Sequence, residues 1–136
     1  MINVGIDIHK KRCQACLKDE KGRMIEELSF PRDEEGIGSF RRLLQNHGEA
    51  KIVLESTGNL WIPIYDTLSE DPANRVILAN PRKTKLIAEA KIKNDKLDAR
   101  VLADLVRADL VAASYVPDEP IRQQRELLRQ RRSLVE

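Results

Sequence analysis

The sequence predicts one α/β domain built on a mixed β-sheet, and three observations support this fold class. Apolar and polar residues alternate over residues 2–9, which is the pattern of a β-strand with one apolar face. Two more short strand patterns follow before the first helix, which predicts an antiparallel three-strand opening. The rest of the chain alternates strand and helix patterns, which is typical of parallel strands joined by helices.

Apolar periodicity and turn residues predict the further elements one by one. The further strands are expected at residues 14–18, 24–30, 51–55 and 75–79. The helices are expected at residues 33–46, 60–68, 81–90 and, from a cap at Asn94 or Asp95, to about residue 106. Asp33 is a capping residue type, Pro81 suits a first helical position, and Gly48 suits the residue after a helix end. Residues 110–116 look extended or irregular.

The order of these elements predicts how the sheet is arranged. Because crossovers between parallel strands are right-handed, strand 51–55 is expected parallel to the first strand and beside it. The predicted sheet therefore has three antiparallel strands followed by parallel strands, with helices on both faces. This is the layout of the ribonuclease H-like fold.

The last residues predict a separate helix. Asp118 and Pro120 open a helical pattern that continues to the last residue, and apolar residues repeat in it every seven positions (Ile121, Leu128 and Val135). We expect a domain over residues 1–116 and the start of an arginine-rich, dimerising coiled coil over residues 117–136, in a fragment of a longer protein. The alternative is a helix that lies on the domain itself.

Length and composition exclude several classes of protein. A chain of 136 residues is long enough for one domain with a core, and 41% hydrophobic residues favour a globular protein over a disordered one. No apolar run reaches the roughly 20 residues that cross a bilayer. Asp7 interrupts the first apolar stretch, so no signal peptide is expected. We therefore expect a cytoplasmic protein with no membrane partner.

Basic residues are concentrated in two stretches, although the formal net charge is only +2. Residues 82–100 contain seven lysines and arginines against three acids, and residues 121–132 contain five arginines against Glu126. A local excess of this kind favours a polyanionic partner. Solvated helix faces are the alternative for either stretch alone.

Cys13 and Cys16 form an isolated C-x-x-C pair. No second cysteine pair and no nearby histidine pair completes a zinc site in the sequence. Residues three apart on a strand also point to opposite faces. We interpret the two as ordinary strand cysteines.

Four acidic residues carry the candidate chemistry. Asp7 lies near the end of the first strand and Glu55 ends the next parallel strand, so both reach the edge where such sheets form their sites. Asp95 and Asp98 are three residues apart at a predicted helix start, so they share one face. Carboxylates packed together need a neutralising cation, and their hard oxygens suit Mg²⁺ or Mn²⁺. Two such ions can activate the attacking oxygen and stabilise the leaving oxygen of a phosphodiester.

Each acid also has a simpler explanation. Asp95 and Asp98 could complement the dipole of a helix N-terminus. Glu55 could be an ordinary residue at a strand end. Asp7 is harder to explain in this way, because an acid in an otherwise apolar central strand is costly to bury.

Four segments of the chain resemble the DEDD-type insertion-sequence transposases: GIDIHK at 5–10, LESTG at 54–58, NP at 80–81 and KNDKLDA at 93–99. The resemblance covers essentially the whole chain. It implies a RuvC-like N-terminal domain, which in the family precedes a coiled coil and a C-terminal domain with a nucleophilic serine. It also implies an enzyme that breaks and rejoins DNA, guided by a structured RNA. The D, E, D and D of its metal site would be Asp7, Glu55, Asp95 and Asp98.

The other polar residues near these motifs have simpler interpretations. We assign His9 no catalytic role, we expect Ser56 and Thr57 to cap the next helix, and we expect Trp61 to be a core residue. Basic residues that flank the acids in sequence are expected to contact nucleic-acid phosphates. They are Lys10, Lys83, Lys85, Lys93, Lys96 and Arg100.

Three rival functions stay open at this point. A stand-alone ribonuclease H-like nuclease would use the same acids. An actin-like sugar kinase or ATPase begins with a similar strand, but it needs a Gly/Ser/Thr-rich phosphate turn after its aspartate, where this chain has Ile8, His9 and Lys10. A non-catalytic assembly module would hold nucleic acid by its basic surface and dimerise through the last helix.

Overall fold

The computed structural model describes residues 1–94 and 96–116. The strands are β1 (Ile2–Ile8), β2 (Arg12–Lys18), β3 (Met24–Pro31), β4 (Ala50–Ser56) and β5 (Asn74–Leu78). The helices are α1 (Glu34–Gln45), α2 (Ile62–Ser69), α3 (Pro81–Ile87), which continues as one π-helical turn (Ala88–Ile92), and α4 (Ala99–Arg107). The coiled coil predicted for residues 117–136 lies outside the described residues, and so does Asp95.

The five strands form one mixed sheet in the order β3-β2-β1-β4-β5. β2 pairs antiparallel with both β1 and β3, whereas β4 runs parallel to β1 and to β5. The mixed α/β sheet and the place of the fourth strand beside the first are therefore confirmed. The finer ribonuclease H-like assignment stays a prediction.

One face of the sheet carries the main core. The predicted apolar face of β1 packs there against α1 and α2, and all of these side chains are buried. Phe30 of β3 and Phe40 of α1 stack with their ring centroids 4.4 Å apart. Asp33 caps α1 as predicted, because its side chain accepts a hydrogen bond from the Gly36 N–H at 2.7 Å. Trp61 is buried in this core as well, as expected.

The opposite face of the sheet is covered by α4, which the alternation in β1 did not predict. Gly5 allows the close approach: a Cβ at this residue would lie 2.2 Å from the Ala99 carbonyl oxygen and 2.5 Å from the Ala103 nitrogen. Two ion pairs connect α4 and the turn after it to the sheet, Lys18 to Asp104 and Lys51 to Asp109. Helices therefore lie on both faces.

The start of α4 is a correction to the sequence analysis. The helix begins at Ala99, with Asp98 as its N-cap, rather than after Asn94 or Asp95. The Asp98 side chain accepts a hydrogen bond from the Val101 N–H at 3.0 Å. Lys93 ends the preceding π-helical turn in the left-handed region (φ 57°), so the chain leaves helical geometry there and resumes it at Ala99.

Two further corrections concern the helices beside the sheet. α2 begins at Ile62 after Trp61, without a side-chain cap, so Ser56 and Thr57 do not cap it. Ser56 ends β4 instead, and its hydroxyl oxygen is buried without a hydrogen-bond partner among the described residues. The regular α-helix after Pro81 ends at Ile87, three residues earlier than predicted.

The two cysteines behave as ordinary strand residues. Cys13 points into the core under α1 and α2, and Cys16 points to the other face against Ala99 and Ala103. Both thiols are free. In the described part of the chain, no helix has the length and apolar character needed to cross a bilayer.

Replacing Gly5 by alanine is expected to destabilise the protein by about 3 kcal/mol or more, because the added methyl group meets α4 backbone atoms that cannot rotate away. Urea unfolding measures the effect. Gly38→Ala in α1 is the matched control, since its Cβ would meet only the end of the Arg42 side chain at 3.7 Å. That variant should gain about 0.5–1 kcal/mol. Equal stability of the two variants would contradict the close approach.

Candidate active site at the carboxyl ends of β1 and β4

Asp7 and Glu55 lie side by side on the two central strands. Asp7 is the penultimate residue of β1, and its register partner on the parallel strand β4 is Glu55. Neighbouring strands are about 4.8 Å apart, and residues in register point to the same face. Only 17% of the Asp7 side chain is exposed. The predicted meeting of these two carboxylates at the strand ends is therefore observed.

The two carboxylates are electrostatically coupled. Burial, the hydrogen bond to Asp7 and the negative charge of Asp7 together raise the pKa of Glu55 to about 7, while His9 acts in the opposite direction. The pair therefore favours holding one proton near neutral pH, because two ionised carboxylates this close repel each other.

His9 lies directly against this pair. Its Nε2 atom is 3.0 Å from Oδ2 of Asp7, and its ring is mostly exposed. The sequence analysis gave His9 no role and did not identify this contact. The alternation of side chains along β1 could have predicted the contact, because residues 7 and 9 lie on the same side of the strand.

Asp98 lies near the pair but does not join it. The first turn of α4 sits over Gly5, which is two residues, or about 6.8 Å along a strand, from Asp7. Asp98 acts electrostatically on Glu27 and Arg100, whereas the groups that act on Glu55 are Asp7 and His9. Within residues 1–94 and 96–116 no three His, Cys, Asp or Glu side chains are close enough to hold a metal ion. Asp95, the remaining predicted ligand, lies outside the described residues.

A basic groove opens beside Glu55. It has a volume of about 410 Å³ and is lined by Glu55, Pro81, Arg82, Lys85, Lys96 and Leu97. We refer to Arg82, Lys85 and Lys96 as the groove cations. Lys85 and Lys96 were predicted to contact phosphate, but Arg82 was not. Its spacing of three residues from Lys85 on a helix was the signal that could have identified it.

The other predicted phosphate contacts lie outside this groove. Lys10, Lys83 and Lys93 are exposed. Arg100 forms a fork with Glu27 instead, with its Nε and Nη2 atoms 2.9 and 3.0 Å from the two carboxylate oxygens. The Arg100 charge is therefore balanced within the protein.

The donor chemistry of the acidic pair fits a divalent cation. Both side chains offer hard carboxylate oxygens, and Glu55 takes up a proton at a pH where a free glutamate would be ionised. A positive charge between the two acids would replace that proton. Two ligands of the predicted four are thus placed together.

The fold and this site define an α/β domain with paired carboxylates at the ends of parallel strands and a basic groove beside them. A family model described as transposase, of the IS110-type DEDD group, matches residues 4–136. The chain therefore belongs to the IS110-type DEDD transposase family. A search of curated proteins found no match.

Two solved structures show weak similarity to the chain. One is a ROK family glucokinase from Streptomyces griseus with glucose and AMPPNP, at TM-score 0.46 and 13% identity, covering 71% of this chain and 38% of that one. The other is an inorganic polyphosphate/ATP-glucomannokinase from Arthrobacter sp. strain KM, at TM-score 0.44 and 13% identity, covering 70% and 50%. The chain thus spans at most half of either protein, and no functional argument follows from similarity at this level.

The stability of the protein is expected to depend on the protonation of Glu55. The folded state keeps this proton up to about pH 7, whereas an unfolded glutamate loses it near pH 4.5. Because the folded state binds more protons between these values, the free energy of unfolding contributed by Glu55 falls as the pH rises from 4.5 to 7. Glu55→Gln should remove this fall and should be more stable than wild type at pH 8.

Urea unfolding at a series of pH values measures the difference between variant and wild type. Glu49→Gln is the matched control, because Glu49 is an exposed glutamate at the opposite end of the same strand. A stability difference between Glu55→Gln and wild type that stays constant from pH 4.5 to 8 would contradict the shared proton.

Proposed function

We propose that this chain is the metal-dependent catalytic domain of a DNA transposase, with Asp7 and Glu55 at the centre of its site. The observation that carries the proposal is the coupled pair of carboxylates in register at the ends of β1 and β4. Membership in a transposase family supports DNA as the substrate. RNA guidance remains a prediction of the family resemblance, and self-association through residues 117–136 remains a prediction of the seven-residue apolar spacing there.

In this proposal the acidic residues hold Mg²⁺ or Mn²⁺. Asp7 and Glu55 would be two of the ligands, and Asp95 and Asp98 would be the others, as the resemblance implies. A divalent ion at such a site supplies electrophilic stabilisation of a phosphodiester and activation of an attacking oxygen. Two ions are expected by analogy with carboxylate sites of this chemistry.

The chain's own residues would bind and orient the DNA. Paired carboxylates repel a phosphodiester, so the substrate needs compensating cations close to the site. Arg82 and Lys85 on α3, with Lys96, line a groove that Glu55 also lines. They would hold the backbone on either side of the reacting phosphate, while burial of Asp7 keeps its carboxylate fixed.

A non-catalytic assembly module is the second candidate, and one observation favours it. Among the described residues the acids that could bind a metal form a pair rather than a group of three or more. Such a module would still bind DNA through the groove cations. Metal binding therefore separates the two candidates.

Calorimetric titration with Mn²⁺, in the presence of DNA, is expected to show binding to the wild-type chain and none to Asp7→Asn or Glu55→Gln, because each removes a ligand oxygen. Glu49→Gln, which changes an exposed acid far from the pair, should bind like wild type. Unchanged binding by Asp7→Asn would contradict the proposed ligands. Absence of binding by the wild type, with DNA binding intact, would favour the assembly module.

The double variant Arg82→Gln/Lys85→Gln is expected to bind single-stranded DNA about tenfold more weakly, because two phosphate contacts are lost. The slope of log affinity against log salt should fall by about 1.4, or about 0.7 per contact. Fluorescence anisotropy with a labelled oligonucleotide measures both. Lys21→Gln/Arg23→Gln at the β2–β3 turn is the control of equal charge loss. Equal effects of the two double variants would contradict a role for the groove.

A further inference from the structure

Four cations cluster at the turn that joins β1 to β2. Lys10 and Lys11 lie in the turn, Arg12 begins β2, and Arg32 follows β3 directly. Arg32 is fixed to the turn, because its backbone N–H donates to the Lys11 carbonyl oxygen and its Nε to the Lys10 carbonyl oxygen, each at 2.9 Å. We refer to these four residues as the turn cluster.

The turn cluster adjoins the acidic pair. The turn begins two residues after Asp7, and the His9 N–H donates to the Arg12 carbonyl oxygen at 3.0 Å to close it. The cluster therefore lies at the same edge of the sheet as Asp7 and Glu55. It lies on the β2 side of the pair, whereas the groove cations lie on the α3 side.

The charges of the turn cluster are not neutralised within the described part of the chain. The ion pairs there tie acids to other cations, for example Lys18 to Asp104 and Lys51 to Asp109, and none includes a residue of the cluster. The acid next to Arg32 in sequence, Asp33, directs its carboxylate to the N-terminus of α1. Four positive charges in close proximity favour a polyanionic partner.

The turn cluster and the groove cations lie on opposite sides of the acidic pair. The turn cluster lies on the β2 side of β1, whereas the groove cations lie on α3 and beside Glu55 of β4. The two strands of a DNA duplex present two separate rows of phosphates, one on each side of the major groove. A single strand following the groove cations would leave the turn cluster without a partner.

We propose that the turn cluster binds the backbone of the second strand of a DNA duplex, while the groove cations hold the strand that lies over the carboxylates. This inference rests on the proposed function and deepens it, because it assigns particular residues to the second strand of the DNA. It assigns a DNA contact to Lys11, Arg12 and Arg32 as well as to Lys10.

The test compares a duplex with a single strand of equal length, by fluorescence anisotropy without divalent metal. Lys11→Gln/Arg12→Gln is expected to weaken duplex binding about tenfold and to lower its salt slope by about 1.8, or about 0.9 per contact. Single-strand affinity should change less than twofold. Lys11→Arg/Arg12→Lys retains both charges and should bind the duplex like wild type. Lys21→Gln/Arg23→Gln, at the far end of the same hairpin, is the control.

Three results would overturn the inference. Lys11→Gln/Arg12→Gln could bind the duplex as tightly as the control variant does, or it could lose the same factor of affinity for duplex and single-stranded DNA. The third such result is that the wild type does not bind the duplex. Its failure is distinguishable from failure of the proposed function. If the turn variant binds like the control while Arg82→Gln/Lys85→Gln still loses single-strand affinity, only the second-strand contact is wrong. If neither double variant differs from the control, the DNA interface of the proposed function fails as well.

Discussion

The backbone contact between β1 and α4 at Gly5 is the constraint on which the rest of the structure depends. No side chain fits between Gly5 and the first turn of α4, so the helix lies directly on the central strand. Lys18 and Lys51, on the strands to either side, then form ion pairs with Asp104 within the helix and with Asp109 just after it.

Much of the fold could be predicted because its signals are local. Alternation over residues 2–9 marked the central strand, and Asp33 and Pro81 marked two helix starts. The pairing of Asp7 with Glu55 followed from topology, since successive parallel strands end at one edge. The start of α4 could not be predicted in this way. Asn94, Asp95 and Asp98 are all capping residue types, and the choice among them depends on where α4 meets Gly5, a contact over more than 90 residues of sequence.

The charged surface was harder to predict than the fold, because neutralisation of a side-chain charge depends on residues that are distant in the sequence. The stretch over residues 82–100 is predominantly basic in sequence, yet the structure divides its cations between different surroundings. Arg82 and Lys85 face a groove with Glu55, while Arg100 is neutralised by Glu27, which is 73 residues away. Helical spacing indicates which residues share a face, but only the fold shows which face meets the acids. Both faces of β1 are buried for a similar reason, since α4 arrives from far along the chain.

The negative charge of the partly buried acids has to be compensated by groups at the same edge of the sheet. Ionising both Asp7 and Glu55 in a partly buried place is unfavourable, so either a proton or a cation has to accompany them. A phosphodiester brings further negative charge, so it can approach only where cations flank the acids. In the proposed function the groove cations on one side and the turn cluster on the other would meet that requirement. The basic residues would then be a physical condition of the acidic site rather than a separate feature of the surface.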